Sequence, residues 1–380
     1  MNRIGIVGTG YVADLYMRSL ATFPQIEVVG AFDIDRSRLA EFCSYWKVPP
    51  AASMSELLGG EADSPTLILN LTNPSAHFDV SAACLDAGKH VYSEKPLALD
   101  MESAKKLCAL AEQKSLMLAS APCSLLGEAA QTLWLALRQS AVGKVRLVYA
   151  ELDDDFIPQA PFRKWKSESG APWPYRDEFE VGCTLEHAGY YLTWLIAMFG
   201  SVEKVVAASA TLIEDKVDSQ SPGAPDFSCG TLFFKSGVVA RLTCSILAPH
   251  DHSLRVIGDG GALEVERSWD NDAAVRLRRR FTLRRRLINS PVAKRIKIKG
   301  DTHPKVGRQG AAAMNFALGP AEMLAALSES RASRLSAGLA LHLNEVTLAL
   351  QNANGLQHMQ TVCPPVEPMP WAATQSGKLN

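Results

Sequence analysis

The sequence has no run of about 20 apolar residues, so no segment is expected to cross a bilayer as a helix. Its eight cysteines (Cys43, Cys84, Cys108, Cys123, Cys183, Cys229, Cys244 and Cys363) form no Cys-x-x-Cys pair. No His cluster shows metal-ligand spacing, so neither a disulfide framework nor a bound metal is expected, and a reducing cytoplasm fits the cysteine pattern. Lys and Arg total 39 against 40 Asp and Glu, a net charge of −1, and no nucleic-acid partner is expected. There is no internal repeat. The first apolar strand begins at residue 3, which leaves no room for a signal peptide ahead of it.

What is present is an ordinary globular composition, 47% hydrophobic and 21% charged, over 380 residues. That length exceeds the roughly 250–300 residues over which one core usually extends, so two domains are expected. The chain opens with a short apolar strand, Ile4 to Val7, followed by Gly8-Thr9-Gly10-Tyr11-Val12-Ala13 and a helical pattern. This is the Gly-x-Gly-x-x-Ala form of a dinucleotide-binding turn. Gly8 permits the turn, Gly10 lets the backbone approach a pyrophosphate, and the phosphates meet the free N–H groups of a helix N-terminus. A second strand, Glu27 to Phe32, ends at Asp33, 25 residues after Gly8. An acid there accepts hydrogen bonds from the ribose hydroxyls of NAD and repels the 2′-phosphate of NADP. Arg36 and Arg38 pull the other way, and Asp35 is placed to cap the helix that follows.

The stretch Leu67 to Asp100 reads as strand, turn, helix and strand, ending in Glu94-Lys95-Pro96. A lysine at the C-terminal end of a parallel strand lies where open α/β sheets bind ligands. Leu71, Thr72 and Asn73 follow the earlier strand and are placed to meet a cofactor, with Glu94 and Lys95 beside them.

The segments IGIVGTGYVA, FDID, LTNPSAH, LDAGKHVYSEKPLALD and EHAGYYLTWLIAMFG together resemble the Gfo/Idh/MocA oxidoreductases, the glucose–fructose oxidoreductase and inositol dehydrogenase family. The resemblance covers residues 1 to about 200 and continues more weakly to about 352. It implies an α/β architecture, with an N-terminal Rossmann domain (1–122), a C-terminal α/β domain with a large, mostly antiparallel sheet (123–360) and an extended tail (361–380). It also implies hydride transfer between NAD(P) and a sugar-like alcohol or ketone, a cis Lys95–Pro96 bond, and a homodimer or homotetramer. Thr72, Asn73 and His77 fall on the family's Thr-Pro-Asn-x-x-His turn, with Asn73 and Pro74 in swapped order, so His77 joins the cofactor set. As a residue, His77 reads first as a structural histidine.

Lys95, His187 and Tyr191 are the catalytic candidates. His187 and Tyr191 are four apart and share a face if their segment is one helix. Aligned through Gly189, His187 replaces the Asp of the family's Asp-x-Gly-x-His pattern and Tyr191 replaces its His. Tyr190 is expected on the other face, and Glu186 to orient either group. Burial is expected to lower the Lys95 pKa towards the working pH. The loop Asp153 to Arg176 is rich in Trp, Pro and charge, and Arg163 and Trp165 in it are candidate substrate contacts along with Lys95, His187 and Tyr191. Residues 276–299 carry eleven Lys and Arg and no acid, leaving 28 bases against 40 acids elsewhere. Two function classes remain open. One is an NAD-preferring dehydrogenase of a sugar, with a nucleotide-linked or phosphorylated sugar as the expected substrate. The other is a non-catalytic dinucleotide-binding regulator of the same fold.

Overall fold

A computed structural model describes residues 2–59, 64–216, 223–308, 310–372 and 378–379. The N-terminal half runs β1 (Arg3–Val7), α1 (Tyr11–Leu20), β2 (Glu27–Phe32), α2 (Arg36–Trp46), α3 (Met54–Leu58), β3 (Leu67–Asn70), α4 (His77–Asp86), β4 (His90–Ser93), α5 (Met101–Gln113) and β5 (Leu118–Ser120). Its strands form a parallel sheet in the order β2-β1-β3-β4-β5. Helices on both faces bury it, which is why Leu67, Ile68, Leu69 and Asn70 of β3 are all buried rather than alternating. The strand order reverses direction between β1 and β3, and loops there open a crevice at the C-terminal strand ends. Asp35 caps α2 by accepting from Arg38 N, as the sequence predicts, and Asp100 caps α5 through Ser103 N.

The rest of the chain supplies α6 (Glu128–Arg138), β6 (Val145–Asp153), α7 (Tyr175–Val181), α8 (Cys183–His187), α9 (Gly189–Phe199), β7 (Val202–Ala210), β8 (Phe227–Phe234), β9 (Val239–Ser245), β10 (Leu254–Gly258), β11 (Gly261–Val265), β12 (Val275–Leu283), β13 (Arg286–Asn289), β14 (Lys294–Ile296), α10 (Leu318–Ser328), α11 (Ala337–Gln351) and β15 (Gly355–His358). Ten strands form one sheet, β13-β12-β11-β10-β6-β9-β8-β7-β15 with β14 on β12, and every pair but β6–β9 is antiparallel. Alternation along β8 buries Ser228, Gly230, Leu232 and Phe234, while the intervening residues are only partly covered. That second face exposes Leu147, Val206 and Leu356.

α11 begins at a Ser336 cap and packs on both α9 and α5, tying the second half to the first. Gly355, at φ +103, starts edge strand β15. The basic segment forms the β12–β13 hairpin and β14. Arg276 and Arg278 face Glu266 and Glu264, so its charge is partly neutralised within the sheet. The tail lies along α6, where Met369 N donates to Gln131 and Arg138 to the Ala372 carbonyl.

Candidate active site

One cavity of about 780 Å³ runs from the glycine-rich turn to the junction of the two sheets. Its N-terminal wall is Gly10, Tyr11, Val12 and Leu15, then Leu71 to Pro74, then Glu94 and Lys95. These residues follow β1, β3 and β4, the three strands that flank the reversal in strand order.

The turn after β1 fits a dinucleotide. Gly8 has φ +93, and a Cβ there would meet the Leu71 carbonyl carbon at 2.6 Å, so only glycine fits. A Cβ at Gly10 would meet nothing within 4 Å; it would project into open space that a pyrophosphate requires. Gly10 precedes α1 without a side-chain cap, leaving first-turn N–H groups for an anion.

Asp33 has a different first duty. One of its carboxylate oxygens accepts Thr9 N at 2.7 Å and Thr9 Oγ1 at 2.8 Å, and the other accepts Asp35 N at 2.9 Å. It braces the turn, and each oxygen keeps acceptor capacity for a ribose hydroxyl. Arg36 turns away to the carbonyls of Ala51 and Ala52. Arg38 lines the cavity, but its donors go to the Thr9 carbonyl, Glu41 and Ser169.

His77 is fully buried and does not line the cavity. Its ring contacts the carbonyls of Pro96 at 2.7 Å and Thr72 at 2.9 Å, so it ties the β3 and β4 loops together. Burial, opposed by those two contacts, lowers its pKa. Its part in the cofactor set is therefore support of the loops rather than contact. Thr72 bonds Asn70, and Asn73 donates to Asp177 across the cavity at 2.8 Å.

Lys95 follows β4, its bond to Pro96 is cis, and its ammonium pairs with Glu186 of α8. The Glu186 side chain is 4% exposed and that of Lys95 17%. Burial pulls the Lys95 pKa down. Glu186 outweighs it, helped by Glu178, Tyr190 and Glu94, and holds the ammonium well above its ordinary value. The expected lowering does not occur, because the Glu186 carboxylate lies at contact distance and favours the charged ammonium. Glu178 stands beside Glu186, and burial together with that like charge raises its carboxyl well above the usual range.

The register of the α8–α9 segment also differs from expectation. It is two helices with a break at Ala188, so positions 187 and 191 do not share a helical face. Tyr191 is fully buried in the core, lying towards Ser268 and outside the cavity lining. Tyr190 lines the cavity beside Trp269, with ring centroids 5.1 Å apart, and burial pushes its phenol pKa up, which favours the neutral, donating form. His187 does line the cavity; burial lowers its pKa, and its Nε2 stands 3.7 Å from Asp154. The group around Lys95 is thus Glu186, His187 and Tyr190, one residue earlier in register than the alignment through Gly189 placed two of its members.

The Trp-rich loop folds over the cavity. Trp165 and Trp173 line it and pack together, centroids 5.1 Å apart, and a hairpin at 166–172 reaches α1 and α2. At its tip, Ser169 N and Oγ both donate to Asp14 at 2.9 Å, and Arg18 pairs with Glu168 at 2.7 Å. Arg163, by contrast, is exposed, donates to the Tyr175 hydroxyl and stacks on that ring; it does not line the cavity.

Comparison with known proteins agrees with this geometry. The model of an oxidoreductase family with an NAD-binding Rossmann fold matches residues 2–121, and that of the GFO/IDH/MocA C-terminal domain matches residues 130–264. The chain belongs to the Gfo/Idh/MocA family of oxidoreductases. Among curated relatives of this Gfo/Idh/MocA chain, trans-1,2-dihydrobenzene-1,2-diol dehydrogenase of Mus musculus is 26% identical over 272 residues, 70% of this chain and 75% of that one. UDP-N-acetylglucosamine 3-dehydrogenase of Acidithiobacillus ferrooxidans is 30% identical over 158 residues, 42% of this chain and 47% of that one. A levoglucosan dehydrogenase solved with NADH and levoglucosan shares the fold at a TM-score of 0.77 and 15% identity, over 94% of this chain and 99% of that one. No helix among the described residues is long and apolar enough to cross a membrane.

Proposed function

We propose that this oxidoreductase is an NAD(H)-preferring dehydrogenase of a secondary alcohol on a sugar or sugar-like polyol. The observation that carries the reading is that one cavity joins the dinucleotide turn to the Lys95–Glu186 pair. Beyond Lys95 the cavity is lined by Asp154, Asp155, Asp177, Glu178 and Glu186, with Arg163 turned elsewhere. Such a lining suits a hydroxyl-rich neutral substrate better than a phosphate-bearing one. Trp165, Trp173 and Trp269 offer flat apolar surfaces for the C–H faces of a ring.

Gly8, Gly10, Tyr11 and Val12 would hold the dinucleotide phosphates, Asp33 its adenine ribose, and Leu71 to Asn73 with Glu94 its nicotinamide side. When bound, the dinucleotide supplies the hydride acceptor or donor. This chain's residues manage the proton. Lys95, charged and paired, hydrogen-bonds the reacting oxygen. In alcohol oxidation Lys95 passes one proton to Glu186 and takes the hydroxyl proton, so it stays cationic while Glu186 becomes neutral. Ketone reduction reverses the transfer. Tyr190 and His187 orient the substrate hydroxyls beside this pair. The test is absorbance at 340 nm with NAD+ and a panel of neutral sugars and polyols, alongside their phosphates and nucleotide-linked forms. The reading requires NADH formation with at least one neutral member. Dinucleotide binding with no turnover of any member would point instead to the non-catalytic regulator.

A further inference from the structure

Beyond the reaction centre, three side chains converge that the sequence reading did not connect. Asp154 directly follows β6. His250 and His252 lie on the connection between β9 and β10, two residues apart in an extended segment. The backbones of Asp153 and Asp251 exchange both N–H···O bonds at 3.0 Å, which fixes the two segments side by side. Asp154 then faces both imidazoles. Its Oδ1 is 3.4 Å from His252 Nε2 and 4.0 Å from His250 Nδ1, and one ligand atom from each of the three residues lies within 4.8 Å of the others.

We propose that Asp154, His250 and His252 form a binding site for one divalent transition-metal ion of the zinc, iron(II) or cobalt(II) type. Two imidazoles and one carboxylate are the donor set such ions prefer. Metal–ligand bonds of about 2.0–2.2 Å at near-tetrahedral or octahedral angles put donor atoms roughly 3–3.5 Å apart, so closing the observed triangle takes shifts of under about 1 Å. An independent observation points to the same ligand. His252 is 2% exposed and stacked on Trp269 at 4.5 Å, yet its Nε2, facing Asp154, has no hydrogen-bond partner of good geometry. A buried nitrogen left so is costly, and a cation at the centre of the triangle would satisfy it.

The surroundings favour positive charge. Asp155 accepts His250 N at 3.0 Å and thereby fixes that residue's backbone, and Asp153, Asp251 and Asp270 stand close by. Asp154 also lines the cavity, so the ion would sit at the cavity's edge. The site is built from residues outside the Lys95–Glu186 pair, so its existence does not depend on the proposed reaction.

The experiment uses the untagged full chain, stripped with a chelator and titrated with cobalt(II). Expected are one equivalent bound and a visible d–d absorption band, with zinc(II) displacing it in calorimetry. His252→Ala and Asp154→Asn should each weaken binding by at least about tenfold. His250→Ala should do the same; its side chain is 46% exposed, so folding is not at issue in that variant. His358→Ala, on exposed β15, serves as a control that should bind as wild type. Absence of stoichiometric binding by the wild type would overturn the proposal, as would wild-type affinity in both His250→Ala and His252→Ala.

Discussion

The ammonium of Lys95, after the fourth strand of the Rossmann sheet, is paired with the carboxylate of Glu186, 91 residues later on α8. The pair crosses the junction of the two halves of the chain. It explains why Lys95 stays charged in a place where burial alone would neutralise it, and in the proposed reaction it would supply a proton store next to the reacting oxygen. Removing either partner leaves a buried charge uncompensated, a loss of about 3–5 kcal/mol for fully buried pairs. Lys95 keeps some solvent contact, so the lower end of that range applies to Glu186→Gln. Urea unfolding of wild type, Glu186→Gln and a Lys95→Met/Glu186→Gln double variant checks this. The double variant should recover part of the loss.

The two adjacent tyrosines separate by function. Tyr190 lines the cavity and Tyr191 is enclosed in the core. Tyr190→Phe should lower turnover by roughly tenfold or more, as loss of a positioned donor does. Tyr191→Phe should leave turnover within about twofold of wild type and act, if at all, on stability. Steady-state kinetics of the two variants reads this directly. The opposite pattern would restore the alignment through Gly189.

Cofactor choice follows from Asp33 and the two arginines. Arg36 and Arg38 are held by carbonyls, Glu41 and Ser169, while Asp33 stays beside the turn with acceptor capacity to spare. NAD should bind at least about tenfold more tightly than NADP, or roughly 1.4 kcal/mol. Asp33→Ser should narrow that ratio, and it should also loosen the turn, because Thr9 loses its acceptor. Fluorescence titration with both cofactors decides it; tighter NADP binding by wild type would give the choice to Arg38.

Acid stability has an identifiable contributor far from the cavity. Val202 N donates to His342 Nε2 at 2.9 Å, so the ring proton sits on Nδ1, 3.3 Å from Glu345. Glu345 also accepts Gln360 N and Thr361 N. Burial raises its pKa, but these donors outweigh it and bring the carboxyl down to about 2 from 4.5. A depressed carboxylate stabilises the fold above its unfolded pKa. Here that contribution is full above about pH 4.5 and is lost as pH falls towards 2. Glu345→Gln should therefore cost stability at pH 7 and show a shallower loss on acidification than wild type, measured by urea unfolding across that range.

The open face of the ten-stranded sheet exposes Leu147, Val206 and Leu356. Antiparallel sheets with helices on one side commonly cover the other by association. We expect a dimer or higher assembly at micromolar concentration. Light scattering that returned a strict monomer would remove that expectation.

How much of this was legible in the sequence follows from how local each signal is. The glycine turn, the Asp35 cap and the apolar β3 depend on neighbours within a few residues, and all three are legible in the sequence. The antiparallel second sheet read correctly in outline through its Gly-punctuated strands and the family resemblance. The Glu186 register was lost because a one-residue helix break at Ala188 shifts which side chains face Lys95, and periodicity assumes no break. Arg163 reads as a substrate contact from the composition of its loop, but it stacks on Tyr175 outside the cavity lining. The approach of Asp154 to His250 and His252 joins positions almost 100 residues apart, and only the pairing of β6 with its neighbours reveals it.

The most direct test of the account is Lys95→Ala, assayed with the best substrate from the sugar panel and titrated separately with NAD. The account predicts turnover lower by roughly 10²–10⁴-fold, with NAD affinity changed far less. Equal losses of turnover and NAD affinity would assign Lys95 to cofactor binding and contradict its place at the reacting oxygen.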